Sequence, residues 1–289
     1  KKILENKYNN IIAIDRDVKS LEISKKFEKK YKNRFKFENI KFSEINRIKT
    51  NKNILKGIIF DLGYSTAQIK DPEKGLSFLS KGKLNMQMGL NEFSANEIVN
   101  DFDQSSLSKI FYSFGDEKKA NNIARKIINF RKSKNIETQD LVKIIDSVHK
   151  KKFKKIHNST KVFQALRIFV NKEISELIDS LISSFKLLPK GGVIVVVSFH
   201  SIEDKIVKYF FHHYSQNKNS SRYLPEKERK KILFNLPQKK PLIPEKYEIL
   251  KNPPSRSAKL RYAIKINDNQ DFSDFKKKFK YLLDIENIC

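Results

Sequence analysis

Three short stretches of the chain are apolar at nearly every position rather than at every second one. Ile11-Ile12-Ala13-Ile14 runs into Asp15, Gly57-Ile58-Ile59-Phe60 runs into Asp61, and Gly192-Val193-Ile194-Val195-Val196-Val197 runs into Ser198. Phe35-Lys36-Phe37 is a shorter strand candidate between the first two. Continuous apolar runs suit parallel strands covered by helices on both faces. Helix-like sequence lies before the first run, from Lys1 to Glu5, and after it, around Leu21 and Ile23. Strands alternating with helices predict a doubly wound α/β sheet.

About 130 residues separate Asp61 from Gly192, too many for one crossover. From Ser94 to Val148 the pattern predicts short helices at Glu97-Ile98-Val99, Leu107–Phe114, Ala120–Phe130 and Leu141–Val148. This is the composition of a helical insert, with one long helix expected over Thr160–Leu188 to return the chain to the sheet. The expected division is a first part of the α/β domain over 1–71, the insert over 72–157, and the second part over 158–289. Residues 215–250 are polar and carry Pro225, Pro237, Pro241 and Pro244, which predicts a mobile loop.

Lys and Arg number 60 against 33 Asp and Glu, a net charge of +27. An excess of that size favours a polyanionic partner, because each contacted phosphate releases counterions. Lysine drift would produce the same excess without a ligand, since only ten of the basic residues are Arg. The sole cysteine, Cys289, excludes an intrachain disulfide and a Cys-based zinc site. The five His residues lack a ligand spacing, so no metal is expected. No apolar run approaches the roughly 18 residues of a membrane span, and a reducing, cytoplasmic setting is expected. The chain opens Lys1-Lys2-Ile3 without Met, so its start is expected to be missing.

Ligands of open α/β sheets bind beyond the carboxyl ends of strands, where Asp15 and Asp61 both fall. A carboxylate after an early strand suits the two hydroxyls of a ribose in NAD or S-adenosylmethionine equally; it is also an ordinary helix cap. Asp61-Leu62-Gly63-Tyr64 offers an acceptor for an exocyclic amine and an aromatic face for a flipped base, or simply a turn at Gly63. In Ser198-Phe199-His200-Ser201-Ile202-Glu203-Asp204, His200 is a candidate base or RNA contact or a satisfied loop histidine, while Ser201 and Asp204 match a helix N-terminus. Arginine is scarce enough for its placement to matter. Arg16, Arg125, Arg167, Arg256 and Arg261 lie inside motif-like segments, and Pro253–Arg261 reads as a basic turn entering a strand, suited to phosphate or merely a solvated edge.

Together these segments resemble one family, the small-subunit ribosomal RNA cytosine-N4 methyltransferases. The match is carried by Gly57–Gln68 with Gly75-Leu76-Ser77-Phe78, by Ile123-Ala124-Arg125, by Phe163–Ile168 with Val170-Asn171, by Ser198–Asp204, and by Ser255–Arg261. The resemblance implies a Rossmann-like class I S-adenosylmethionine-dependent methyltransferase with a helical insert domain. Its implied substrate is a cytidine N4 amine in the decoding region of 16S rRNA within the small ribosomal subunit. It further implies cofactor contacts at Asp15 (ribose hydroxyls), Phe42 (adenine), Asp61 and Gln68 (methionine end). The family's glycine-rich loop would precede Lys1, so the chain is expected to be a fragment that binds the cofactor poorly. Where the family reads Asp-Met-Arg-Met-Asp, this chain reads Asn85-Met86-Gln87-Met88-Gly89, three charges fewer. Tyr64 stands for a small aliphatic residue, and Asn158 for a Pro after His157.

Asp61 is the expected catalytic acceptor for the attacking amine. Arg167, His200, Arg256, Lys259 and Arg261 are the expected RNA contacts. Two other classes fit parts of the pattern. A nicotinamide dehydrogenase would share Asp15 but needs a proton-donor group that is not evident. A catalytically inactive RNA-binding module of ribosome assembly would share the charge.

Overall fold

Every apolar run singled out above forms a strand in the computed structural model, which describes residues 2–51, 54–79, 82–89, 91, 93–149, 157–216, 231–268 and 271–288. In chain order the elements are α1 (Lys2–Glu5), β1 (Ile11–Ile14), α2 (Ser20–Tyr31), β2 (Phe35–Glu38), β3 (Gly57–Asp61) and α3 (Thr66–Lys70). Then follow α4 (Ala95–Asp101), α5 (Gln104–Gly115), α6 (Ala120–Phe130), α7 (Thr138–Val148), α8 (Thr160–Val170) and α9 (Glu173–Leu187). The chain continues through β4 (Val193–Ser198), α10 (Ser201–His213), β5 (Phe234–Asn235), α11 (Lys246–Lys251), β6 (Lys259–Lys265), α12 (Ser273–Lys278) and α13 (Lys280–Glu286). The chain divides into two compact units, one of residues 1–42, 64–176 and 281–289, the other of 43–63 and 177–280.

In the first unit β1 and β2 pair in parallel, Ile11 opposite Phe35 and Ile14 opposite Glu38, with α2 as the crossover between them. The helical region has strong local start signals. Ser94 and Glu97 form a reciprocal capping box at α4, and the Asp103 carboxylate accepts from the Ser105 and Ser106 amides at 2.7 and 3.0 Å to start α5. The buried faces of α5, α6, α7 and α8 meet in a core of Leu107, Ile110, Phe111, Phe114, Ile123, Ile127, Leu141, Ile145 and Leu166. Each such fully buried side chain contributes about 2 kcal/mol relative to exposure. A Cβ at Gly115 would lie 2.4 Å from the Lys161 carbonyl, so only glycine lets the end of α5 approach the start of α8.

The long helix expected over Thr160–Leu188 is two helices. Lys172 takes a left-handed φ of 48°, and the Asn171 side chain donates to the Arg167 carbonyl, ending α8 one residue earlier. Local side-chain bonding of Asn to backbone competes with helix continuation, a signal the apolar periodicity does not carry.

The second unit holds a four-stranded sheet in the order β3-β4-β6-β5. β3 and β4 are parallel, with Asp61 opposite Val197, while β6 runs antiparallel to β4 and β5. β6 is therefore an interior strand, not the solvated edge. Ile58, Phe60, Ile194, Val196 and Ala263 bury one face, whereas Ile59 on the other remains 58% exposed. The expectation of two covered faces thus holds for one face of β3. Within the polar stretch 215–250, β5 and α11 are ordered elements rather than loop, because β6 offers β5 a partner edge; residues 217–230 lie outside the described residues.

Candidate active site

In the first unit Asp15 follows β1 and is half-buried. One carboxylate oxygen accepts from the Asp17 amide at 2.8 Å and the other from the Ser20 hydroxyl at 2.9 Å. An ionised carboxylate has about four lone-pair positions, so each oxygen retains room for another donor. That capacity fits the adjacent hydroxyls of a ribose. The parallel pairing brings the carboxyl end of β2 alongside, where Asn39 Nδ2 donates to the Asp15 carbonyl at 2.8 Å. Phe42 follows at the head of a 3-10 turn, Phe42–Arg47, half-buried.

Gln68 sits in a tight polar cluster. Ser65 caps α3 through the Gln68 amide at 3.2 Å, and Gln68 Oε1 accepts from the Ser65 amide at 2.8 Å. Its Nε2 donates to Asp17 Oδ2 at 2.7 Å. Asp17 is buried and also holds Lys74 Nζ at 2.9 Å. Burial pushes the Asp17 carboxyl up, but the bonds from Gln68, Lys74 and the Lys19 amide outweigh it and hold the group below the ordinary value. Asp17 and Lys74 carry no signal of this pairing in the sequence. The buried lysine partner comes from 57 residues away and leaves no local pattern.

The Asn85–Gly89 segment also belongs to this unit and is held by Asn171. The Asn171 Oδ1 accepts from the Met88 amide at 3.0 Å and from Asn91 Nδ2 at 2.8 Å, while its Nδ2 donates to the Met86 carbonyl at 2.8 Å. The Asn171 carbonyl accepts from Arg16 Nη1 at 3.1 Å. Gly89 has φ 109°, and a Cβ there would lie 2.6 Å from the Arg16 carbonyl. Gly89 therefore packs directly on the backbone next to Asp15.

Arg167 projects from α8 into partners of its own unit. Its Nη2 donates to Glu173 Oε2 at 2.8 Å and its guanidinium lies 4.7 Å from the Tyr64 ring centroid. At 7% exposure it is a buried ion-pair residue, not a side chain offered to solvent. Glu173 and Tyr64 thus hold the Arg167 side chain within its own unit.

In the second unit Asp61 ends β3, and the next amide, Leu62, donates to the Val197 carbonyl at 3.0 Å. This fixes the backbone on which the carboxylate sits. The side chain stays accessible, yet surrounding protein on its flank raises its carboxyl above the ordinary value. Gly63 turns the chain with φ 93°, and its Cα faces the Phe199 ring, 3.4 Å from where a Cβ would stand.

His200 is the N-cap of α10, one residue before the cap the Ser201–Asp204 spacing predicts. Its Nδ1 faces the Glu203 amide at 3.4 Å, its Nε2 lies 3.1 Å from Glu203 Oε1, and Glu203 Oε2 accepts from the Phe199 amide at 2.8 Å. Asp204 is used differently. Arg261 Nε donates to its Oδ1 at 2.7 Å, and Lys259 Nζ to its Oδ2 at 3.0 Å. Arg261 Nη1 also reaches the Lys239 carbonyl at 3.3 Å. Of the five expected RNA contacts, Arg256 is exposed and Lys259 partly so, whereas Arg167, His200 and Arg261 are engaged within the protein.

Parallel strands with helical crossovers, acids closing two of those strands and a helical bundle between β3 and β4 define a Rossmann-like methyltransferase. Comparison with known families gives the narrower assignment. Residues 1–266 match the model of the MraW methylase family, and the chain belongs to that family. It is 40% identical over 279 residues to the ribosomal RNA small subunit methyltransferase H of Orientia tsutsugamushi strain Ikeda, covering 93% of this chain and 88% of that protein. The protein of the same name from Chelativorans sp. strain BNC1 is 39% identical over 269 residues, covering 92% and 78%. That from Ehrlichia canis strain Jake is 38% identical over 271 residues, covering 92% and 89%. No helix among the described residues is long and apolar enough to cross a membrane.

Proposed function

We propose that this enzyme transfers a methyl group from S-adenosylmethionine to the exocyclic N4 amine of a cytidine in the decoding region of 16S rRNA, acting in the cytoplasm on the small ribosomal subunit. The observation that carries the reading is the accessible Asp61 carboxylate at the end of β3, followed at once by the Gly63 turn. It rests also on family membership and on relatives named as small-subunit ribosomal RNA methyltransferases.

The cofactor would supply an electrophilic methyl group. Asp15 would hold its ribose hydroxyls with the lone pairs left free by Asp17 and Ser20, and Phe42 would pack by its adenine. Gln68, fixed by Asp17 and Ser65, would contact its methionine end with its remaining amide hydrogen. Asp61 would accept a hydrogen bond from the N4 amine, drawing density onto a nitrogen whose lone pair is otherwise conjugated with the ring. Held in line, N4 would bond to the methyl carbon as the carbon–sulfur bond breaks, with S-adenosylhomocysteine as the leaving group. The amine's surplus proton would pass to Asp61 or water, and most of the acceleration comes from orientation. Residues 72–157 would form the substrate-recognition insert between the two parts of the catalytic domain, 1–71 and 158–289. Arg256 and Lys259 would contact RNA phosphates, with His200 and Arg261 holding α10 and β6 in place beside them and Arg167 fixing Glu173 within its own unit.

The test is incubation of the full-length protein with labelled S-adenosylmethionine and small subunits lacking this modification, followed by nucleoside mass spectrometry. N4-methylcytidine is the expected product. Cofactor binding without label in RNA would overturn the substrate assignment; absence of cofactor binding would favour the RNA-binding assembly module.

A further inference from the structure

The second unit carries an apolar ridge that its own fold leaves in solvent. Ile243, Tyr247 and Leu250 are 70%, 65% and 81% exposed, and Leu242 stands beside them, also exposed. Tyr247, Leu250 and Lys251 share one face of α11, being three and four residues apart. The segment is not a loose strand of chain. Leu242 and Leu260 exchange two backbone hydrogen bonds at 2.9 Å, and the Lys239 carbonyl accepts from Arg261. At its far end the Ser255 hydroxyl donates to the Asn252 carbonyl at 2.7 Å. An apolar surface held in place and yet uncovered marks an interaction site.

Its position in the sheet is informative. Asp61 lies opposite Val197, Val197 opposite Leu260, and Leu260 opposite Leu242. The ridge therefore springs from the same cross-sheet row as Asp61, three strand spacings away, or about 14 Å. That places it at the carboxyl end of the parallel pair, within the span of a few nucleotides on either side of a base held at Asp61.

Its chemistry suits single-stranded RNA. Exposed cations surround the apolar residues: Lys239, Lys240, Lys246, Lys251 and Arg256, against Glu245 and Glu248. Lys251 Nζ lies 4.3 Å from the Tyr247 ring centroid, so a phosphate partner stands beside the aromatic surface. Interleaved aromatic and basic side chains are how single strands are bound without sequence readout, the rings stacking bases while the cations follow the backbone. A second copy of the chain fits poorly, because a two-fold pairing on this ridge would set the same lysines against each other.

We propose that the Leu242–Lys251 ridge is a stacking platform for unpaired nucleotides flanking the target base, with Tyr247 as the stacking ring and Lys246 and Lys251 as phosphate contacts. This rests on the rRNA methyltransferase reading and adds to it how the substrate is held in single-stranded form.

The experiment compares full-length wild type, Tyr247→Phe, and the double variant Tyr247→Ala/Leu250→Ser; both positions are solvent-exposed, so folding is retained and is checked by circular dichroism. The probe is a fluorescein-labelled, single-stranded twelve-residue oligoribonucleotide with one central cytidine, followed by anisotropy. The double variant should bind it roughly tenfold more weakly or worse, Tyr247→Phe should bind as wild type does, and cofactor affinity should stay unchanged in all three. Methyl transfer to small subunits should show a raised KM with kcat retained. Equal RNA affinity in all three proteins, with methyl transfer intact, would overturn the platform while leaving the proposed reaction standing. Loss of a concentration-dependent dimer in the double variant, with RNA affinity untouched, would overturn it in favour of a self-association face. A wild type that neither binds the RNA nor methylates subunits would overturn both the platform and the reaction.

Discussion

Arg261 donates from Nε to the Asp204 carboxylate at 2.7 Å, and both side chains are largely buried, joining interior strand β6 to the first turn of α10. Burial alone would raise the Asp204 carboxyl; the bonds from Arg261 and Lys259 outweigh that and hold it below its ordinary value. Removing one member of a buried pair leaves the other charge unmatched. Asp204→Ala should therefore destabilise the protein by about 3 kcal/mol, read as a lower urea midpoint. Because the native value is depressed, the stability it contributes is present above the ordinary Asp range and is lost as pH falls through the native value. Wild type and variant should converge in acid.

Asn171 makes four side-chain hydrogen bonds while almost fully buried, to Met88, Asn91, Met86 and Arg167. Asn171→Ala orphans two buried backbone groups among these and should cost about 3 kcal/mol. Asn171→Asp should be worse still, since an oxygen would then face the Met86 and Arg167 carbonyls. Thermal unfolding of the two variants gives the order directly. If Asp were tolerated as well as Ala, the clamp on the Asn85–Gly89 segment would not have the geometry described.

Glu286 is buried and accepts from the Ile174 and Ser175 amides at 2.7 and 2.9 Å, capping the start of α9 from the far end of the chain. Burial is the largest influence on it; the two backbone amides and the Ser175 hydroxyl pull the other way, nearby Glu173 adds to the rise, and its carboxyl is pushed up to about 7. The native value lies above the unfolded one, so its contribution is complete below the unfolded value and is lost as pH rises through about 7. The loss between pH 5 and 8 should be on the order of 3 kcal/mol. Glu286→Gln keeps an acceptor oxygen without the charge and should flatten that part of the stability profile. An identical profile in the variant would count against the buried carboxyl as its source.

The strands were legible because each is marked locally, by an apolar run such as Val193–Val197 or by a terminal acid such as Asp15 or Asp61. The helices between Ser94 and Val148 were legible from their apolar spacing, as at Leu107–Phe114 and Ala120–Phe130. What escaped were relationships between distant residues. Nothing near Arg167 or Arg261 says that Glu173, Tyr64 or Asp204 will occupy it, and a scarce arginine looks the same whether it awaits a phosphate or is already paired. The break between α8 and α9 escaped because Asn171 bonds both to the Arg167 carbonyl of its own helix and to the distant segment around residues 86–91, and apolar periodicity records neither. The exposed face of α11 was hidden inside a proline-rich stretch that reads as loop.

Asp61 should show its role in the pH dependence of the reaction. Desolvation raises its carboxyl above the ordinary value of 3.8. If the carboxylate accepts from the attacking amine, kcat/KM rises with pH as Asp61 of the free enzyme ionises, and the midpoint of that acid limb lies above the ordinary carboxylate value. Asp61→Asn retains an acceptor but not the charge, so turnover at saturating cofactor should fall on the order of 100-fold, and the acid limb should disappear. Stability should move the other way. A raised native value means the charged form is disfavoured by folding, so its contribution declines as pH rises through that value. The uncharged amide escapes this, and Asp61→Asn should be at least as stable as wild type at neutral pH, the pattern of a residue kept for chemistry at some expense in stability. A variant that lost activity and stability together would make Asp61 a structural residue, and one that kept full turnover would remove it from the reaction.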